Sequence, residues 1–112
     1  MGEILDLTAV GNLEEFLEFV AFQVEKDFGL MGFQFKQRPY LQLESMIPEL
    51  ELAIERIRTQ QPALWMKIVF RVDLTEKQYR FAQGLQGETS ANLAKGVLLR
   101  EAQKVYTRKK FH

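Results

Sequence analysis

The chain has 112 residues, is 46% hydrophobic, and carries fifteen basic and fifteen acidic side chains, a content suited to one small domain or two very small ones sharing a core. It has no cysteine, which excludes disulfide scaffolds, thiolate zinc sites and cysteine nucleophiles, and its only histidine is the last residue, His112. Neither of its two serines, Ser45 and Ser90, stands in a G-x-S-x-G elbow, so no catalytic residue, metal ligand set or cofactor is expected.

From the N-terminus, residues 1–12 carry Glu3 and Asp6 where a secretory signal would carry Lys or Arg. The longest apolar-leaning run, Ala63 to Val72, is interrupted by Lys67 and Arg71 and falls well short of the roughly 20 residues of a membrane span. A cytoplasmic protein with no membrane partner is the expectation.

Asn12 and Glu15 have capping-box spacing, and Leu13, Phe16, Leu17, Val20, Val24 and Phe28 follow at helical intervals up to Gly29. Phe33 to Lys36 alternates like a short half-buried strand, limited by Pro39. Leu43, Ile47, Leu50, Ala53 or Ile54, and Ile57 predict a helix that starts near Ser45–Ile47, where Pro48 is tolerated in a first turn, and ends in the polar Thr59-Gln60-Gln61-Pro62 linker.

Leu64 to Leu74 reads LWMKIVFRVDL, rich in β-branched and aromatic residues, and predicts a strand. Ile68, Phe70 and Val72 would face one way, and Lys67, Val69 and Arg71 the other. Thr75 to Gln78 has the form of a second capping box, opening a helix with Tyr79, Ala82 and Leu85 inward and Gly87 as its stop. Thr89 or Ser90 then caps a last helix carrying Leu93, Ala94, Val97, Leu98, Ala102 and Val105 at core spacing. The fold class expected is α+β, about four helices with one or two short strands and a C-terminal strand–helix–helix unit.

Zero net charge conceals a division. Up to Ala63 there are five basic and eleven acidic residues; from Leu64 onward there are ten basic and four acidic. The two segments, 1–62 acidic and 63–112 basic, carry opposite charges of about 6, which suggests either different partners for each or mutual attraction within one fold.

The run I-V-F-R-V-D-L-T-E-K-Q-Y, followed by L-Q-G-E-T-S-A-N-L-A-K-G-V-L-L, resembles the ribbon-helix-helix DNA-binding domains over residues 65–106. The resemblance implies a homodimer whose paired strands enter the major groove of duplex DNA. It implies base contacts from Lys67, Val69 and Arg71, with Arg71 suited to guanine. It also implies phosphate contacts from the helix start at Thr89, Ser90 and Ala91, with Lys95, Lys77 and Arg80 nearby. The acidic segment would serve oligomerisation or bind another protein.

A second reading stands beside it. Lys67 and Arg71 equally suit the solvated face of an amphipathic element, Trp65, Phe70 and Phe81 suit a buried core, and the chain suits a compact adaptor or assembly factor that binds another protein. Pairing of Phe33–Phe35 with Ile68–Val72 would favour the adaptor by covering the ribbon edge.

Overall fold

Among the described residues, five α-helices carry the architecture: α1 Leu13–Asp27, α2 Ile47–Gln60, α3 Pro62–Val72, α4 Glu76–Gly84 and α5 Thr89–Lys109. Two short 3-10 turns, Gly29–Met31 and Leu43–Met46, punctuate the segment between α1 and α2. This is a computed structural model, and it describes residues 13–84 and 89–109. Asn12, Leu85, Gly87 and His112, which enter the sequence reading, lie outside the described residues.

The expected α+β class is overturned: the described residues contain helices and no strand. The decisive segment is 64–74, where an alternating strand was expected and α3 stands instead. Its buried side chains, Trp65, Ile68, Val69 and Val72, follow an i, i+3, i+4, i+7 spacing, a helical stripe that the β-branched composition obscures. Pro62, read as the end of a linker, sits in the first turn of α3, where its missing N–H and fixed φ suit a helix start. Only Gln61 separates α2 from α3. At the other end, Asp73 turns into the left-handed region at φ 69° and closes the helix through hydrogen bonds to the Val69 and Phe70 carbonyls.

The second expected strand, Phe33–Lys36, is an irregular segment tied down by carboxylates. The Phe35 amide donates to Glu25 of α1 at 2.9 Å, and the Lys36 and Gln37 amides donate to Glu49 of α2 at 2.7 and 3.1 Å. These acceptors take the place of a β-ladder. Arg38 closes the arrangement by bonding Glu18 and Glu25 together, at 2.7 and 2.8 Å. The Tyr40 hydroxyl donates to Glu49, and the Arg38–Pro39 peptide is cis.

Helix α5 is the central element, packed against α1, α2 and α4, with α3 also in contact. One hydrophobic cluster draws on both halves of the chain, from Phe16 and Val20 through Leu50 and Ile54 to Ile68, Leu93 and Leu98. A chain of tilted and edge-on rings, Tyr40, Phe35, Phe33, Phe28 and Trp65, runs along one side and joins the irregular segment to α3. Trp65 in turn donates to the Tyr79 hydroxyl at 2.9 Å, fastening α4. The start of α4 is a reciprocal capping box, with the Gln78 amide on Thr75 Oγ1 at 3.0 Å and the Thr75 amide on Gln78 Oε1 at 2.9 Å.

Candidate functional site

Four apolar residues of α3 turn inward, so its remaining surface lies on the opposite face. Met66 and Phe70 share that face at i, i+4 spacing, and Phe70 is 87% exposed, Met66 52%. Lys67 and Arg71 follow each of them by one residue and are likewise exposed. The outer face is therefore an apolar pair beside a basic pair. Among the described residues neither Lys67 nor Arg71 forms an ion pair. Phe70 was expected in the core; its aromatic ring is instead directed at solvent, where burial against a partner would recover about 1.5–3 kcal/mol.

Of the base-contact set, the helix keeps Lys67 and Arg71 together and removes Val69, which is buried against the core. Three residues that alternate on a strand cannot share one helical face. The phosphate set is dispersed. Thr89 and Ala91 are partly exposed in the first turn of α5, but Ser90 is buried. Ser90 Oγ donates to Glu55 at 2.5 Å and accepts from Arg58 at 3.0 Å, so the hydroxyl joins α5 to α2. Lys95 is exposed on α5, and Lys77 and Arg80 are exposed on α4, with Arg80 paired to Glu76 at 2.6 Å. Phe81, also expected inside, is exposed on α4.

A second apolar surface lies in the acidic half. A shallow depression of about 460 Å³ forms between the irregular segment and the start of α2, lined by Pro39, Tyr40, Leu41, Ser45, Pro48 and Leu52. Leu41 is 82% and Leu52 74% exposed. Glu49 borders it and stays ionised: burial works against the charge, but hydrogen bonds from Tyr40 and the Lys36 and Gln37 amides outweigh it and hold the pKa below the usual carboxylate range. Glu44 precedes Ser45 in the second 3-10 turn, and Glu51 and Glu55 stand on α2 beside Leu52.

No protein family, curated protein or solved structure matches this chain. The site is therefore defined by its own surface chemistry. Among the described residues no group of three or more His, Asp and Glu is placed to hold a metal ion, and no helix is long and apolar enough to cross a membrane.

One chemically distinctive group escaped the sequence reading. Glu101 is 0% exposed in the middle of α5, with Lys104 Nζ 2.7 Å from its Oε1. Burial, reinforced by the neighbouring Asp27 carboxylate, pushes its pKa up to about 9, so Glu101 is neutral at pH 7. Asp27 takes the opposite course. Burial opposes its charge, but hydrogen bonds from Glu101, Lys104 and Gln23 prevail and lower its pKa. Arg108 completes the line by donating to Gln23 at 2.9 Å. The cluster is enclosed and spans α1 and α5, which makes it a determinant of packing rather than a pocket for substrate. Its signal in the sequence is a carboxylate at a core position, since Glu101 lies three residues beyond Leu98 and four before Val105 on the same apolar stripe.

Proposed function

We propose that this protein is a helical adaptor or assembly module that binds another protein through the outer face of α3. The observation that carries the reading is the pairing of Met66 and Phe70, largely in solvent, with Lys67 and Arg71 at the same helical spacing. Aromatic, Met and Arg side chains are the residues most enriched at the centres of protein interfaces, and a helix offers them in fixed register. The basic pair selects a partner surface that is apolar with acidic flanks.

The alternative of a ribbon reading duplex DNA depends on paired strands, and the segment that would supply them is α3. A basic helical face with its largest side chain apolar favours a protein partner over a phosphate backbone, whose recognition rests on charge.

The test is fluorescence anisotropy with two probes, a synthetic amphipathic helix bearing Leu and Glu on one face, and a duplex oligonucleotide. Peptide binding that falls about tenfold or more in Phe70→Ser supports the reading, the scale of a hot-spot residue. Duplex binding that depends on Lys67 and Arg71 and ignores Phe70→Ser overturns it in favour of DNA.

A further inference from the structure

Two surfaces of this chain complement each other. The outer face of α3 presents Phe70 and Met66 with Lys67 and Arg71, two cations that form no ion pair among the described residues. The depression at the start of α2 is lined by exposed Leu41 and Leu52 together with Pro39, Pro48 and Tyr40. Its border carries Glu49, ionised and beside Lys36, while Glu44 and Glu51, next in sequence to the lining residues Ser45 and Leu52, are free of ion pairs among the described residues. One surface is convex, apolar and basic; the other is concave, apolar and acidic.

We infer that the occupant of the depression is a second copy of this chain, which seats Phe70 and Met66 of its α3 against Leu41 and Leu52 while Lys67 and Arg71 face Glu44, Glu49 and Glu51. This deepens the adaptor reading and rests on it, because it uses α3 as the docking surface. The contact is heterologous, one surface meeting a different one. It closes as a two-fold dimer when two such contacts form reciprocally, and otherwise propagates from copy to copy. Because both surfaces are charged, the association weakens with salt.

The experiment is sedimentation velocity on the full chain from low micromolar to near-millimolar concentration, at low and high salt. It is run on the wild type, on Phe70→Glu, on Leu52→Lys and on an equimolar mixture of the two variants. Both positions are solvent-exposed, and circular dichroism verifies that each variant keeps its helices. The wild type associates, more weakly in high salt; each variant alone sediments as a monomer; the mixture forms a one-to-one heterodimer, since each variant retains the surface the other has lost. A wild type that stays monomeric throughout overturns the inference, as does association that survives either substitution or a mixture that stays monomeric. The peptide titration of Phe70→Ser separates the two claims. Peptide binding by a strictly monomeric chain keeps α3 as a docking face and rejects self-association, and absence of both rejects the adaptor reading as well.

Discussion

The Asp27 carboxylate of α1 and the Glu101 carboxyl of α5 face one another across the core, and Lys104 Nζ reaches them at 2.8 and 2.7 Å. Two buried carboxyl groups in contact cannot both ionise at neutral pH, so the pair shares a proton, which Glu101 holds. With Asp27 charged, Glu101 neutral and Lys104 charged, the cluster is balanced.

The balance has a pH signature. Because the folded pKa of Glu101, about 9, lies above its ordinary value of 4.5, its contribution to stability is complete below that ordinary value and declines as pH rises toward about 9. The decline approaches about 1.4 kcal/mol per pH unit at its steepest. Glu101→Gln, a neutral near-isostere, removes this dependence. Urea unfolding between about pH 5 and about pH 9 should show the variant gaining on the wild type as pH rises. A difference constant with pH would contradict the protonated carboxyl.

Asp27 behaves in the opposite sense. Its depressed pKa contributes stability above the ordinary value of 3.8 that is lost as pH falls through the folded value. Removing the cation in Lys104→Met leaves the Asp27 charge buried without its partner and should destabilise the fold by about 3–5 kcal/mol. Adding Asp27→Asn should recover part of that loss. Strict additivity of the two substitutions in chemical denaturation would show that the groups act independently.

Glu49 holds the irregular segment by accepting from the Lys36 and Gln37 amides and the Tyr40 hydroxyl. Glu49→Gln replaces a charged acceptor by a neutral one, weakening bonds worth about 1.5–3 kcal/mol each. Amide hydrogen exchange should accelerate at Lys36 and Gln37 and stay unchanged in the middle of α5. Uniform acceleration would mean that the segment and the core open as one unit.

Gly96 lies inside α5 with open space where a Cβ would stand. Gly96→Ala should therefore stabilise the protein by about 0.5–1 kcal/mol through lower chain entropy in the unfolded state. Thermal unfolding would detect the gain as a rise of a few degrees. A fall would mean that the glycine serves a contact outside the isolated chain.

Much of the helical plan was legible in the sequence, and its failures were local. The inward residues of α1, α2 and α5 follow uninterrupted helical spacing, and the Thr75 box was visible as a pair of residues. Residues 64–74 defeated the reading because Ile68, Phe70 and Val72 alternate while Trp65, Ile68, Val69 and Val72 keep helical period. A large aromatic at an exposed position, Phe70, made the wrong period look continuous. The candidate face was legible only in part. Lys67 and Arg71 were singled out, but their apolar neighbours Met66 and Phe70 belong to it only when the segment is helical. The depression depends on Leu41 and Leu52, which are brought together by long-range bonds to Glu49 and Glu25 that no local pattern encodes.

The central claim, that α3 is a helix presenting Met66, Lys67, Phe70 and Arg71 outward, is tested most directly by single-cysteine labelling across positions 65–72. The chain has no cysteine of its own, so each introduced thiol reports alone. The helix predicts fast labelling at 66, 67, 70 and 71 and slow labelling at 65, 68, 69 and 72. A strand would reverse the two informative neighbours, with 69 fast and 70 slow. Fast labelling at 70 with protection at 69 supports the account, and the reverse contradicts it.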